Sequence, residues 1–353
     1  MQLDNSLASQ KPTIDDVASL AGVGRTTVSR VLNNGPNVRA EIRERVQRAV
    51  QMLDYKVNIQ ARNLAGGATR QIALIHASDL DSEPNSYYNS GLELGALRAC
   101  ASQGFQLVTH TVNQTAPTAE RQIIALIEEG RCDGIILTPP FSDRLELVKQ
   151  ICEKKCPVVC ISGGEEVQRI TASVGIDDKA AGFEITRHLI DLGHRKFGYI
   201  KGSSGHLSAE GRFDGFLSAL KSASIAPQDA IVEPGNFTFH SGIESAQRML
   251  DRPDRPTALV CANDDMAAGA LLAIHKMGLE IPRDISVTGF DDTPVSEIVW
   301  PPLTTVHQPI KQIGQRAVDL IVGAINGGTG GAVPNHQNIE FRLVTRDSSA
   351  PPK

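Results

Sequence analysis

With 353 residues, 41% apolar and 21% charged, the chain has the make-up of an ordinary globular protein and room for two or three domains. Its net charge of -5 hides an asymmetry: residues 1–66 carry nine Lys/Arg against six Asp/Glu, leaving +3 on the head and -8 on the remainder. A basic head on an acidic body is expected where only the head meets phosphate. No apolar run reaches the roughly 20 residues that span a bilayer, and MQLDNSLASQK lacks a secretion-signal layout, so the reading is a cytoplasmic protein with no membrane partner.

Residues 1–10 read as a disordered leader. From Thr13 to Leu32, TIDDVASLAGVGRTTVSRVL reads as two short helices about a tight turn. Thr13 and Asp16 have capping-box spacing, Ile14, Val17, Ala18 and Ala21 share a face, and Gly22 supplies a left-handed turn. The second helix, from about Arg25, turns Val28, Val31 and Leu32 inward. Such a pair is a helix-turn-helix, whose second helix can lie in the DNA major groove. Arg25, Thr26 and Arg30 are the outward residues suited to base edges, while Thr27 and Ser29 suit phosphates. After the turn cluster Asn33-Asn34-Gly35-Pro36, a third helix over about 39–53 buries Ile42, Val46, Ala49 and Leu53. Its Arg43, Arg45 and Arg48 either meet the DNA backbone or form a solvated face.

Residues 55–67, YKVNIQARNLAGG, read as a linker. From Gln71 a strand-then-helix rhythm sets in. Strands are expected at 72–77, 105–110, 134–139, 157–162, SVGID, 197–202, 230–235, 258–263 and 285–291. Helices are expected at 89–103, 119–129, 179–192, 209–222, 242–250 and 265–278. Apolar strands alternating with amphipathic helices imply parallel sheets covered on both faces, and this length implies two doubly wound α/β domains. Cys152-x3-Cys156-x3-Cys160 invites a metal reading. However, Pro157 ends the helix carrying the first two thiols and Cys160 falls in a strand. Together with Cys100, Cys132 and Cys261 they read as reduced core cysteines, with no metal and no cofactor.

Ligands of open α/β sheets collect beyond the carboxyl ends of strands. Ser162, Asn263 and Asp291 stand at such ends, Arg212 lies early in the helix after FGYIKG, and Phe237 follows AIVEPGN. An amide, a carboxylate, a guanidinium and an aromatic plane suit a sugar. Equally, Asn or Asp at a strand end caps the next helix, and Phe237 fits a core. Tyr88 is a further aromatic candidate, with Tyr87, Phe141 and Trp300. No enzyme is indicated: GSSGH (202–206) misses the nucleophile elbow at His206, and GGTGG (327–331) follows no strand.

The string DVA-x-x-AGV-x-x-x-TVSRVLN, Asp16 to Asn33, closely resembles the DNA-binding headpiece of the LacI/GalR family of bacterial transcriptional regulators. The resemblance implies a headpiece over 11–57 that contacts DNA through Thr13, Arg25, Thr26, Thr27, Ser29, Arg30 and Asn33. It implies a hinge helix within 58–68, where Ala61, Arg62 and Leu64 enter the minor groove of a bent duplex when two copies pair. It further implies a periplasmic-binding-protein-like effector and dimerisation domain over 69–347, with a tail over 348–353. The lobes would comprise 69–173 plus 304–332 and 174–303 plus 333–347, joined by crossovers near 172–175, 301–305 and 331–336. Arg212 in RFDGF, Asn263 in ANDDMAAG, Asp291 in GFDD and Phe237 match positions that contact effectors. Ser162 departs from the usual Asp or Asn, Gly24 from the usual Ser, and Arg39 from a Ser/Thr cap. The implied function is a homodimeric repressor of carbohydrate uptake or catabolism genes, released from a pseudo-palindromic operator by a small sugar. The alternative is a corepressor-dependent regulator taking a purine or a phosphorylated effector.

Overall fold

The computed structural model describes residues 12–32, 38–55, 68–77, 86–327 and 335–353. Asn33, Ala61, Arg62 and Leu64 lie outside the described residues, as do the leader and nearly all of the hinge segment. The chain divides into two compact units, residues 1–69 and 70–353.

The first unit has three helices, α1 (Ile14–Ala21), α2 (Arg25–Leu32) and α3 (Ala40–Met52). Thr13 starts α1 with a complete capping box, and Gly22 ends it at φ 60°, where a Cβ would be costly. With Gly24 before α2, the backbone alone serves as cap: its carbonyl accepts from Thr27 N–H at 2.8 Å and Val28 N–H at 3.2 Å. Arg39 makes no side-chain cap to α3. Val17, Ala18, Ala21, Val28, Val31, Val46 and Ala49 form the buried core. Helices of 8 to 13 residues are marginal alone, so this shared core is what holds them.

The second unit opens with β1 (Gln71–Ala77), α4 (Ser86–Ser102), β2 (Gln106–Val112), α5 (Ala119–Glu128) and β3 (Gly134–Leu137). It continues through α6 (Leu145–Glu153), β4 (Val158–Ile161), α7 (Glu165–Gln168) and β5 (Ala172–Gly175). A second run follows: α8 (Asp178–Asp191), β6 (Phe197–Ile200), α9 (Leu207–Ser222), β7 (Ile231–Glu233), α10 (Phe239–Leu250), β8 (Ala258–Cys261), α11 (Asp264–Lys276), β9 (Ser286–Thr288) and α12 (Val295–Ile298). The last stretch supplies β10 (Thr305–His307), α13 (Ile310–Asn326), β11 (Asn335–Asn338) and β12 (Arg342–Val344). Two parallel sheets result, ordered β11-β5-β4-β3-β1-β2 and β7-β6-β8-β9, with an antiparallel β10–β12 pair. In β1, Ile72 and Leu74 join the core with Leu92 of α4 and Ile313 of α13, whereas Ala73 and Ile75 join Ile123 of α5 and Leu147 of α6. Helices on both faces explain why this strand reads as an unbroken apolar run.

One expectation needs correction. The lobe boundaries shift because β5 and β11 pair with each other in the first sheet, Ala172 opposite Asn335 and Gly175 opposite Asn338. Residues 335–338 therefore complete the first lobe, and the chain crosses after them. The tail over 348–353 is held against the second lobe. Val287 N–H donates to the Ser348 carbonyl at 2.9 Å, and Ala350 N–H to Ser286 Oγ at 3.1 Å. Ser348 Oγ–H donates to the Val287 carbonyl while accepting from Thr304 N–H, so this segment is stitched along β9. Such backbone pairing leaves no trace in hydropathy.

Candidate functional site

On the first unit, Arg25, Thr26 and Arg30 are exposed, with Thr27 and Ser29 half-buried beside them on α2. Arg25 lies 3.7 Å from Asp15 of α1, both side chains about two-thirds exposed, so solvent and salt screen this pair and leave the guanidinium available. Thr13 is committed to its helix: its hydroxyl donates to Asp16 Oδ2 at 2.7 Å and accepts from Asp16 N–H at 3.3 Å. Arg45 is committed as well. Its guanidinium donates to the carbonyls of Ala21 and Gly22, placing a cation at the negative end of α1 and tying α3 to the turn.

On the second unit, the close approach of α8 to α9 places Arg212. A Cβ on Gly182 would stand 2.2 Å from the Arg212 carbonyl oxygen, so glycine is needed there. The buried guanidinium donates through Nε to Asp178 Oδ1 at 2.8 Å and through Nη1 to the Ala262 carbonyl at 2.8 Å. It sits 3.7 Å from Asp291 Oδ1 and 3.8 Å from the centre of the Phe290 ring. Burial disfavours its charge, but Asp178 and Asp291 outweigh burial and hold the cation charged. Burial pushes Asp291 up to about 7 against the pull of Arg212, and raises Asp178 likewise. Tyr88, from α4 of the other lobe, faces the same groups. Burial, then the charge of Asp291, keeps its phenol neutral.

Asn263 caps α11, accepting Met266 N–H at 3.0 Å, and donates to the Phe237 carbonyl at 3.0 Å. It is thus the scaffold under Phe237, as the capping alternative anticipates. The Phe237 ring meets that of His206 edge-on, centroids 5.0 Å apart. Burial drives His206 down to about 3, and it stands neutral. Ser162, Phe237 and Asp291 all adopt left-handed backbone, at φ 49°, 67° and 114°. Such strain in residues other than glycine concentrates at ligand sites. Ser162 Oγ is turned onto Gly175, where an added Cβ would stand 2.8 Å away.

Between the lobes, Asp143, on a turn at 141–143 after β3, accepts Leu207 N–H of α9 at 3.2 Å. Among the described residues, Ser142 Oγ and His206 Nδ1 are buried without hydrogen-bond partners, whereas His76 Nε2 at the end of β1 lies 3.6 Å from Glu93 and the Gly164 N–H supports the Asp143 carboxylate. All of these follow the carboxyl ends of β1, β3 and β6, the side of the sheets where open α/β folds take ligands.

Residues 13–58 match the family described as bacterial regulatory proteins, lacI family, and residues 186–349 match a periplasmic binding protein-like domain. The HTH-type transcriptional regulator DegA of Bacillus subtilis is 33% identical over 306 residues, covering 86% of this chain and 88% of that protein. The chain belongs to the LacI family.

Among solved structures, a lac repressor dimer bound to operator and the anti-inducer ONPF superposes with a TM-score of 0.80 at 29% identity, covering 97% of this chain and all of that one. A complex of the regulator CelR with cellobiose superposes at 0.72 with 30% identity, covering 96% and 100%. As a LacI-family member, the chain is a DNA-binding transcriptional regulator.

Of the residues read as effector contacts, Arg212, Asp291 and Tyr88 converge, Phe237 stands beside them on Asn263, and Ser162 is packed against β5. Tyr87 is exposed, Phe141 is fully buried in the first lobe's core, and Trp300 is 77% exposed. Sequence reasoning missed Asp178, Phe290, His206 and Asp143. Asp178 follows Asp177, the true cap of α8, and a second Asp behind a cap was the available signal. The thiols form no metal group among the described residues: Cys156 lies beyond α6 and its thiol donates to the Pro157 carbonyl at 3.8 Å.

Proposed function

We propose that the chain is a homodimeric cytoplasmic repressor of carbohydrate uptake or catabolism genes. Each headpiece reads half of a pseudo-palindromic operator, and a small sugar bound between the lobes releases it. The carrying observation is the Arg212–Asp178–Asp291 cluster. It lies where the lobes meet, is approached by Tyr88 from one lobe and carried on α8, α9 and the segment after β9 of the other, so a ligand there acts on both lobes at once. A ligand changes an equilibrium only through unequal affinity for its two states, and a site shared by two lobes supplies that inequality. Arg25, Thr26, Thr27, Ser29 and Arg30 serve as the described DNA contacts. Ala61, Arg62 and Leu64 complete them in the minor groove, and Asn33 and Thr13 add further contacts.

The test is a mobility shift on DNA upstream of neighbouring genes, with and without mono- and disaccharides. A shifted band that disappears with one sugar is expected. Arg25→Ala should cost roughly 1–3 kcal/mol on the operator and relax base preference. Absence of selective binding to any fragment, or an equal loss on all sequences, defeats the respective assignment.

A further inference from the structure

We propose that Cys132 and Cys156 are a peroxide-responsive thiol pair whose reversible disulfide loosens the junction where the chain enters the second unit at Arg70. Both are free thiols at the starts of neighbouring parallel strands. Ile135 of β3 lies opposite Val158 of β4, and Ile135 N–H donates to the Pro157 carbonyl at 2.8 Å. Counting back along that register leaves Cys132 and Cys156 one residue out of step. A strand spacing of about 4.8 Å and a rise of about 3.3 Å then put their Cα atoms roughly 6 Å apart, inside the span a disulfide bridges. Both side chains belong to the core layer shared with α5 and α6, where Cys156 is buried and Cys132 half-buried.

Access divides the roles. Cys132 is within reach of a small hydroperoxide, and the neighbouring Cys156 thiol, with the Gly134 N–H and the Arg131 cation, favours its thiolate against burial and Asp133. The thiolate attacks the outer oxygen of the hydroperoxide; the O–O bond breaks, the departing alkoxide takes up a proton, and Cys132 becomes a sulfenic acid. Cys156 is raised chiefly by Cys132 beside it, then by burial, and the first cause vanishes once Cys132 carries oxygen. Its sulfur then attacks that of Cys132, the S–O bond breaks, and the thiol proton leaves with the hydroxide as water. The two sulfurs are oxidised, the peroxide is reduced, and an external dithiol reverses the bond.

Asp133, next to Cys132, holds the junction. Its carboxylate accepts Arg70 N–H at 2.6 Å, and its own N–H donates to the Gln71 carbonyl at 2.7 Å. Arg70 has left-handed backbone, φ 54°, a conformation that persists only where its surroundings impose it. β3 lies between β4 and β1. Closing the two sulfurs from non-bonded contact to about 2.05 Å therefore draws Cys132 toward β4 and pulls Asp133 away from Arg70 and Gln71.

The experiment exposes the reduced full chain at pH 7.5 to a small excess of hydrogen peroxide, blocks the remaining thiols, and maps peptides by mass spectrometry without reductant. A Cys132–Cys156 linked peptide should dominate and should vanish with dithiothreitol. Cys156→Ser should stop at a Cys132 sulfenic acid, trapped by dimedone, while Cys152→Ser should still form the link. Hydrogen exchange of the same samples should run about tenfold faster in peptides spanning Arg70 once the disulfide forms, and return to its starting rate on reduction. A wild-type map that lacks the link, or in which Cys152 replaces either partner, overturns the inference. So does exchange at Arg70 that the disulfide leaves unchanged. Neither readout uses DNA or an effector, so the outcome stands apart from the proposed function.

Discussion

Replacing Arg212 by Ala removes the cation from two buried carboxylates together with two 2.8 Å hydrogen bonds and the Phe290 stack. The Arg212 side chain is only 8% exposed, so solvent cannot compensate, and the appropriate magnitude is that of breaking a buried ion pair, about 3–5 kcal/mol. Most of that cost is the stranded charge on Asp178 and Asp291, which gives it a pH signature. Without Arg212 both carboxylates titrate higher in the folded state than in the unfolded chain. A group raised in this way costs stability in full above its folded value, and that cost fades as pH falls from there to the unfolded carboxylate value, below which it is gone. Asp291 already sits at about 7 with Arg212 present, so the deficit should be largest near pH 8 and shrink by pH 5. Urea unfolding followed by circular dichroism at these two pH values is the assay. The midpoint at pH 8 should fall by about 1–2 M. A drop under about 0.3 M, or a deficit that grows on acidification, would refute the idea of one guanidinium compensating two buried carboxylates.

Three further outcomes are expected. Arg45→Ala should lower headpiece stability by about 1 kcal/mol and weaken binding to all DNA sequences alike, because its guanidinium holds the Ala21 and Gly22 carbonyls; an altered base preference in selection from random operators would contradict that. His206, lowered by burial to about 3, contributes stability that is whole above about 6.5 and is lost as pH falls toward 3. Relative to His206→Asn, the wild type should therefore forfeit about 2 kcal/mol between pH 7.5 and pH 5, and thermal midpoints that stay parallel would rule this out. Cys132, half-buried and lowered by the neighbouring Cys156 thiol, should alkylate faster at pH 7.5 than Cys100, Cys160 or Cys261, as read by peptide mass spectrometry; burial raises all three.

What was legible beforehand follows from how each feature is encoded. Strands such as β1, β3, β4 and β8 announce themselves because helices cover both faces and their central positions are apolar. The polar strand Asn335–Asn338 escaped notice, because an edge strand is held by backbone pairing with β5 and needs no apolar side chains. Asn263 and Asp291 could be picked from strand ends, and Arg212 from the helix after one, since the topology sends ligands there. Their division of labour could not: Asn263 spends itself on a cap, whereas Asp291 leans on the guanidinium. Asp143 and His206 are distant in the chain, and only the fold makes them neighbours across the lobes.

The pairing of β5 with β11 also bears on how the chain is made. The edge of the first sheet stays open until a strand about 160 residues downstream arrives, and the whole second lobe intervenes. A ribosome must make the whole second lobe before that edge is closed, so folding cannot proceed lobe by lobe in order of synthesis. For that interval the nascent chain presents an unpaired strand margin to its neighbours, making crowded synthesis rather than the finished fold the stage most exposed to aggregation.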